Sequence, residues 1–377
     1  MKKNRFWSIA LLTMLLSMTG TKAFAYDIAV ENEDGVTIYY NYYNGTELEV
    51  TYGNSKYSDT VVIPEEVTYM NRIRKVACIG QSAFYRCNNL TNIDIPNSVN
   101  TIDENAFRDC NGLTSVIIPN SVITIGEDAF YGSSELASFT IPNSVATIGA
   151  RAFSGTAWYN SQPDGLVYAG KVAYKYKGTM PANTNVEIEN GTVSISPWAF
   201  SSCSGLTNIT IPITVTSIGW CAFDGTSWYE NQPDGLVYAG KVAYRYKGNM
   251  PENTIIELED GTVGVASSAF SECENLTNIA IPNSVTTIGG SAFYWCSGLT
   301  GIDIPNSVTN IGSQAFKGCR GLRNITIGNS VTNIGSQAFS GCRTLTSITI
   351  PHSVISIGEK CFIPVATLRP LGSNVRM

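Results

Sequence analysis

The sequence predicts a β-rich solenoid in which short coils stack on one another and share one apolar core. Phenylalanine recurs at a fixed interval, each repeat contains a stretch of alternating apolar and polar residues, and turn-forming residues follow each such stretch. One unit of this size cannot bury its own apolar side chains, whereas stacked units bury them continuously. We therefore expect a right-handed superhelix with a parallel β-ladder, in which short helical or 3₁₀ turns return the chain.

The register residue of the repeat is phenylalanine. Eight of the ten intervals between successive register phenylalanines are 23 residues long, and the other two are 47. Since 47 minus 23 leaves 24, each long interval holds one repeat and an insertion of 24 residues. We predict the solenoid over residues 61–362, with insertions at about 157–180 and 227–250. The register residues are Phe84, Phe107, Phe130, Phe153, Phe200, Phe223, Phe270, Phe293, Phe316, Phe339 and Phe362.

The unit from Leu90 to Phe107 illustrates how one repeat is built. Leu90, Ile93 and Ile95 are separated by polar residues, which is typical of a strand with one buried face. Pro96-Asn97-Ser98 then predicts a turn. Across the repeats the outward strand positions are mostly Thr, Asn and Ser. Such a flat polar face suits contact with a large partner, and it equally suits simple solvation.

The repeat resembles a known family. The segment Leu299–Cys319, with the sequence LTGIDIPNSVTNIGSQAFKGC, is similar to the BspA-like leucine-rich repeats of bacterial surface proteins. The resemblance covers about residues 61–362. It implies a leucine-rich-repeat solenoid and a secreted or surface-bound adhesin that contacts host matrix and plasma proteins or other bacteria. The repeat predicts the scaffold better than the ligand, because recognition depends on surface residues that vary on one scaffold.

Residues 1–25 are predicted to be a signal peptide. Three basic residues among the first five positions precede an apolar run over 6–18, and Ala23-Phe24-Ala25 offers a cleavage site. A membrane anchor is the alternative, although the apolar run is too short to span a bilayer. We therefore expect an exported protein that is extracellular or on the cell surface, with the periplasm as a further location.

The charge of the mature chain narrows the choice of partners. The whole sequence has 24 basic and 30 acidic residues, and the predicted leader holds four of the basic ones. The mature chain therefore has 20 basic and 30 acidic residues, a formal net charge of −10. This balance disfavours nucleic acid and anionic membranes. The expected partners are extracellular proteins of the matrix or plasma type, or surface glycans.

Both ends of the solenoid are predicted to differ from the repeats. Residues 26–60 contain two hairpin turn signals, Asp34-Gly35 and Asn44-Gly45, and are expected to form an N-terminal β cap. Residues 363–377 lack the repeat and contain Pro364 and Pro370, so an irregular C-terminal tail is expected. A last coil without a cap would expose apolar surface and a strand edge, which predicts self-association or fraying at this end.

The two insertions are near copies of each other. Residues 157–181 and 227–251 are identical at 20 of 25 positions, and each copy contains the turn signal Pro-Asp-Gly and two apolar stretches typical of a β-hairpin. Their aromatic side chains either bind a ligand, since Trp and Tyr are frequent binding anchors, or attach the hairpin to the solenoid. The candidate ligand-contacting residues are Trp158, Tyr159, Tyr168, Tyr176, Trp228, Tyr229, Tyr238 and Tyr246.

The ten cysteines are predicted to be packing residues. Seven of them lie three residues after a register phenylalanine, and Ser133, Thr156 and Thr226 occupy the same position in other repeats. A column that mixes Cys, Ser and Thr indicates a small buried position filled by free thiols. Disulfides between stacked neighbours remain the alternative, because stacked coils bring such residues close together.

No constellation typical of catalysis is found in the sequence. His352 is the one histidine and replaces the asparagine of a repeat turn, so the common triads and polyhistidine metal sites lack parts. We predict no catalytic residues, no metal site, no cofactor and no enzymatic activity. The predicted function is a secreted or cell-surface binding and adhesion protein. The alternative is a glycan-binding module that uses the aromatic hairpins.

Overall fold

A computed structural model describes residues 26–363 and 368–370. These residues confirm the predicted β-solenoid, whose parallel strand pairs join residues 23 positions apart, as in Thr101 with Thr124. Each regular coil contributes a strand to a first ladder, a two-residue strand to a second ladder, and a turn that contains the register phenylalanine. We call this third segment the turn side. The predicted signal peptide lies outside the described residues.

The N-terminal strands form an antiparallel meander that continues into the second ladder. The turn between β2 and β3 has positive φ at Asn44 and Gly45 (45° and 82°), as a type I′ hairpin requires. The strand β3 then pairs in parallel with β6, with Leu48 opposite Val76. These strands are β1 (Ile28–Glu31), β2 (Thr37–Tyr43), β3 (Glu47–Thr51), β4 (Asp59–Val62), β5 (Glu66–Tyr69) and β6 (Arg72–Ile79).

The next three coils are regular. Their second-ladder strands pair in one continuous series from β6 onward. Ile79, Ile102 and Ile125 are opposite one another in this series and are buried, because alternate residues of a strand face the core. The strands are β7 (Leu90–Asp94), β8 (Thr101–Ile102), β9 (Ser115–Ile117), β10 (Thr124–Ile125), β11 (Ser138–Thr140) and β12 (Thr147–Ile148).

Each insertion forms a short helix followed by an antiparallel hairpin, and the second strand of the hairpin pairs in parallel with the next coil. The first copy and the coils after it comprise α1 (Ala157–Ser161), β13 (Gly165–Ala169), β14 (Val172–Lys177), β15 (Thr184–Glu187), β16 (Ser194–Ile195), β17 (Leu206–Thr210) and β18 (Ser217–Ile218). The second copy and the coils after it comprise α2 (Ser227–Glu230), β19 (Gly235–Ala239), β20 (Val242–Lys247), β21 (Thr254–Glu257), β22 (Gly264–Val265), β23 (Leu276–Ala280) and β24 (Thr287–Ile288).

The C-terminal coils end in a strand that the sequence did not predict. Residues Leu368–Pro370 pair in parallel with Ile348–Ile350, so this part of the expected irregular tail is regular. A strand at a sheet edge needs hydrogen bonds on one side only, and proline is tolerated there. Residues 364–367 and 371–377 lie outside the described part. The strands are β25 (Gly301–Asp303), β26 (Asn310–Ile311), β27 (Asn324–Thr326), β28 (Asn333–Ile334), β29 (Ile348–Ile350), β30 (Ser356–Ile357) and β31 (Leu368–Pro370).

The register phenylalanines form the centre of the core. Phe316 is fully buried, and its ring stacks between those of Phe293 and Phe339 with centroids 5.1 and 5.3 Å away. At the N-terminal end Tyr57 continues the column, 4.7 Å from Phe84 and 5% exposed. Stacked rings fix the rotation of each coil on the next, because offset aromatic pairs have preferred geometry.

On the turn side most coils donate backbone hydrogen bonds to the next coil. The N–H of Phe84 donates to the carbonyl of Ala106 at 2.8 Å, and the N–H of Phe316 donates to Ala338 at the same distance. The turn also contains bonds between residues three apart, such as Tyr85 N–H to Ser82 O at 3.1 Å, as in the expected 3₁₀ geometry. However, the residue two positions before the register phenylalanine, Ser82 in this coil, has a positive φ, which interrupts a true 3₁₀ helix.

Candidate binding surface

The tryptophans of the two insertions pack on the core. The ring of Trp158 is perpendicular to that of Phe153 at 5.2 Å and to that of Phe139 at 5.7 Å. In the second copy Trp228 packs on Phe223 at 4.9 Å in the same way. Both tryptophans are half-buried. The structure therefore places them as contacts between hairpin and solenoid, which is the second of the two predicted roles.

The remaining hairpin tyrosines also have partners within the chain. The hydroxyl of Tyr168 accepts a hydrogen bond from the N–H of Glu189 at 3.0 Å, and Tyr238 accepts one from Glu259 at 2.9 Å. Tyr159 lies edge-on to Tyr174 at 5.8 Å. The matching pair in the second copy is separated by 5.7 Å. These contacts make each hairpin a rigid part of the solenoid.

Tyr176 and Tyr246 occupy the register position of the hairpin coil. Each lies 23 residues after a register phenylalanine, and each donates its backbone N–H to the alanine carbonyl of the next coil at 2.8 Å, as the register phenylalanines do. The ring of Tyr176 is 6.4 Å from that of Phe200. The inserted 24 residues are therefore a modified coil that contributes its own strand to the second ladder.

Tyr174 and Tyr244 connect the modified coil to the coil before it. Phe153 has no alanine carbonyl of a regular coil above it, and its N–H donates instead to the hydroxyl of Tyr174 at 3.0 Å. Phe223 uses Tyr244 in the same way at 3.1 Å. Burial raises the pKa of Tyr174 to about 12, so its hydroxyl stays protonated at neutral pH. The prediction that hairpin aromatics contact a ligand remains untested by this packing.

The first ladder is divided into two-strand units. The pairs are β4–β7, β9–β11, β15–β17, β21–β23, β25–β27 and β29–β31. Between β7 and β9, two consecutive regular coils, the described residues form no backbone hydrogen bond. The 23-residue repeat does not predict this division, although the two coils differ in pattern: Ile93 and Ile95 are separated by Asp94, whereas Val116, Ile117 and Ile118 are apolar in succession.

The facing edges of β7 and β9 contain polar backbone groups without a partner in the described chain. The carbonyl of Asp94 accepts from Ile63 N–H, so the peptide groups of Ile93 point the other way, toward β9. The N–H of Ile118 donates to Thr140, so the groups of Ile117 point toward β7. Backbone groups of this kind normally find a partner, in water or in a ligand.

A groove of about 650 Å³ lies over this division. Its volume is within the range of 300–1,000 Å³ common for ligand sites. Its polar walls consist of amide, hydroxyl and carboxylate side chains, and its apolar contacts come from the 72% exposed Ile117 with Pro119 and Pro142. Asp94 is the one charged residue among those that line it. The polar lining residues are Asn92, Asp94, Asn97, Ser115, Asn120 and Thr140.

A second, smaller groove of about 220 Å³ lies over another division of the same ladder. It is lined by Thr326, Asn329, Thr349 and Pro351, and no backbone hydrogen bond joins β27 to β29 among the described residues. Two separate divisions thus coincide with the two grooves. Other divisions of the ladder, such as the one between β23 and β25, have no such groove described over them, so a division alone does not make the outward face concave.

Five of the seven cysteines in the column are buried, and four of these donate a thiol hydrogen bond to a backbone carbonyl. The thiol of Cys319 donates to the carbonyl of Phe293 at 3.0 Å, and Ser133 donates to Phe107 at 2.8 Å from the same repeat position. Burial raises the pKa of Cys110 and of Cys342 to about 12. All ten cysteines are free thiols in the structure, which agrees with the first of the two predicted states.

Metal-binding clusters and membrane-spanning helices are both absent from the described part of the chain. No group of three or more His, Cys, Asp or Glu residues there lies close enough to hold a metal ion. None of the helices in residues 26–363 is long and apolar enough to cross a membrane. Asp94 and the other outward carboxylates at its repeat position, Glu187, Glu257 and Asp303, are exposed and separated by two or more coils.

The repeats of this chain match a known family. The model described as the BspA-type leucine-rich repeat region matches in six copies, over residues 53–162, 172–257 and 239–369. These ranges cover most of the sequence. The chain belongs to the BspA-type leucine-rich repeat family. The resemblance predicted from the 23-residue unit is thus confirmed. A comparison with curated protein sequences found no match.

Solved structures of similar chains include three bacterial proteins. A leucine-rich cell surface protein from Faecalibacterium prausnitzii is 23% identical, with 92% of this chain and 96% of that chain covered and a TM-score of 0.35. A leucine-rich repeat protein from Bacteroides ovatus is 21% identical, with coverage of 92% and 100% and a TM-score of 0.32. The pneumococcal vaccine antigen PcpA is 14% identical, with coverage of 88% and 78% and a TM-score of 0.24. Similarity at this level identifies neither a ligand nor a location.

Proposed function

We propose that this BspA-type repeat protein is a secreted or cell-surface binding protein that adheres to extracellular macromolecules through the outward face of its first ladder. The observation that supports this proposal is the groove over the division between β7 and β9. It combines exposed side chains with backbone groups that need a partner. The leader-like residues 1–25 support export.

Binding rather than catalysis is the function that this surface favours. The polar residues that line the groove are mainly amides and hydroxyls, and its single carboxylate, Asp94, has no second acid or base beside it in the lining. The pair of carboxylates that glycoside hydrolysis uses is therefore not present in the lining. Amides and hydroxyls instead supply adaptable hydrogen bonds to a bound surface.

The hairpins are not the part of the molecule on which we base this function. Their aromatic rings pack on Phe153 and Phe223, and their hydroxyls bond to backbone groups. A side chain that already has partners on most of its surface offers little area to a ligand. The glycan-binding alternative that uses the hairpins therefore has no specific contact in its favour.

Two measurements test the proposal. An antibody against residues 26–377 should label intact cells or culture medium, and the purified mature chain should bind immobilised matrix or plasma proteins, or surface glycans, in a saturable manner. Asn120→Ala combined with Thr140→Ala on the first-ladder face should weaken that binding, whereas Arg86→Ala on the turn side should not. A chain confined to the cytoplasm, or binding to none of these macromolecules, would exclude the proposed function.

A further inference from the structure

We infer that the groove over the division between β7 and β9 binds a neutral oligosaccharide, whose hydroxyls bridge the facing peptide groups of the two strands. This inference rests on the proposed function, since it names the ligand class of the same surface. Three properties of the groove support it: the spacing of the two strands, the chemistry of the walls and the length of the groove.

The spacing between the strands excludes an inserted peptide strand. Cα atoms of β7 and β9 approach within 8 Å of each other. A peptide added between them would need about 9.6 Å, twice the usual strand separation of about 4.8 Å. A hydroxyl group is smaller, and it donates one hydrogen bond and accepts others. In the proposed complex, ligand hydroxyls approach these peptide groups from the open side of the groove rather than from between the strands.

The chemistry of the walls favours a neutral ligand. The lining includes no Lys, Arg or His, so an anionic glycan would lack a counter-charge, and the nearby carboxylate of Asp94 would repel it. Asn92, Asn97 and Asn120 offer both donors and acceptors to ligand hydroxyls. Exposed Ile117 offers an apolar surface to the C–H face of a sugar ring.

The length of the groove favours several linked sugars over one. Its lining extends from Val62 on the first coil to Thr140 on the fourth. Three coil spacings of about 4.8 Å each correspond to roughly 14 Å. An extended ligand of this length would lie across four strands and contact their side chains in turn. A single sugar would fill only part of the volume of about 650 Å³.

The test uses the mature chain and defined probes. Neutral hexaoses of glucose, mannose and N-acetylglucosamine are titrated calorimetrically, with a heparin hexasaccharide as the anionic comparison. We expect one neutral hexaose to bind and heparin not to bind. Asn92→Ala combined with Asp94→Ala should raise the Kd of the neutral hexaose that binds at least tenfold. The matched control is Asn185→Ala combined with Glu187→Ala, which removes an amide and a carboxylate from the same two repeat positions outside the groove.

Hydrogen exchange measures the backbone contact directly. The amides of Ile93 and Ile117 should exchange fast in the free chain and slow down at least tenfold with the bound hexaose. The inference fails if no neutral hexaose binds, if heparin binds as well as the neutral probes, or if both double variants bind equally. Loss of protein binding in Asn92→Ala with Asp94→Ala, without any glycan binding, would overturn this inference and leave the proposed function in place.

Discussion

At the scale of single residues, the register phenylalanines should contribute most to stability in the middle of the stack. Phe316 is fully buried between two rings, whereas Phe362 is 9% exposed and, among the described residues, contacts only the ring of Phe339, at 5.7 Å. We expect Phe316→Ala to lower the free energy of unfolding by about 3–5 kcal/mol. The loss for Phe362→Ala should be smaller. Urea denaturation of both variants measures the free energy of unfolding. If both variants lose the same free energy of unfolding, the phenylalanine column is not the shared core.

The buried thiols should make stability fall at alkaline pH. The pKa of Cys110 and of Cys342 is raised to about 12 by burial, against about 8.5 in an unfolded chain. An acid whose folded pKa is raised stabilises the fold fully below the unfolded value, and this contribution is lost as pH rises from about 8.5 to 12. Each thiol contributes at most about 1.4 kcal/mol per pH unit in that window.

The measurement is Tm against pH for the parent and for Cys110→Ser combined with Cys342→Ser. Serine keeps the hydrogen bond, as Ser133 does naturally at this position, and its hydroxyl does not ionise in this range. The parent should lose stability more steeply than the variant between pH 9 and 11. Parallel curves would mean that the thiols of the column do not remain protonated in the folded chain.

Single residues also show where sequence reasoning succeeded and where it stopped. The 23-residue spacing predicted the phenylalanine column, because identical contacts recur at every coil. Position 176 also lies 23 residues after Phe153, but it is occupied by tyrosine rather than phenylalanine. Tyr176 was therefore not recognised as a register residue and was predicted to contact a ligand instead. Ile117 lies at the outward repeat position that Asp94 occupies in the preceding repeat, so its register indicates exposure, although an apolar residue there breaks the alternation of the strand.

At the scale of structural elements, each hairpin accepts a backbone hydrogen bond from the preceding coil through one tyrosine hydroxyl. Tyr174→Phe removes the acceptor of the Phe153 N–H, and Tyr244→Phe does the same for Phe223. A buried N–H without a partner is destabilising by about 1–3 kcal/mol. Each substitution should therefore lower the Tm, and the Phe153 or Phe223 amide should lose protection from hydrogen exchange.

Tyr176→Phe serves as the matched control, because the register contact of Tyr176 is made by its backbone N–H and ring. It should leave both Tm and amide protection near the parental values. Equal effects of Tyr174→Phe and Tyr176→Phe would indicate that the hydroxyl of Tyr174 is replaced by water. Both copies make the same junction, through Tyr174 in the first and Tyr244 in the second.

The division of the first ladder could not be predicted from any one strand. Hydrogen bonds between coils depend on how each coil is rotated on the next, and this rotation is shared by both ladders and the turn side. The second ladder stays continuous from β6 to β12, while the first separates between β7 and β9. The groove follows from this difference between two faces of the same coils, which a linear pattern does not encode.

At the scale of the whole molecule, the two ends of the stack differ. The N-terminal coil is covered by an antiparallel meander, with Tyr57 and then Tyr39 continuing the aromatic column beyond Phe84. At the C-terminal end β31 pairs with β29 on the first ladder, whereas β30 ends the second ladder without a further strand among the described residues. Exposed strand edges favour association with other chains. The end at β30 is therefore where the predicted self-association would occur.

A shortened chain tests how much the last strand protects this end. Removing residues 364–377 takes β31 away from β29 and exposes a second strand edge on the same coil. In a repeat protein each coil is stabilised by its neighbours, so the damage should be greatest at the last coil and fade toward the centre. We expect faster hydrogen exchange in β29 and light scattering that rises with concentration more steeply than for residues 26–377. If the shortened chain stays monomeric and β29 keeps its protection, the coil before it must stabilise this end without the added strand.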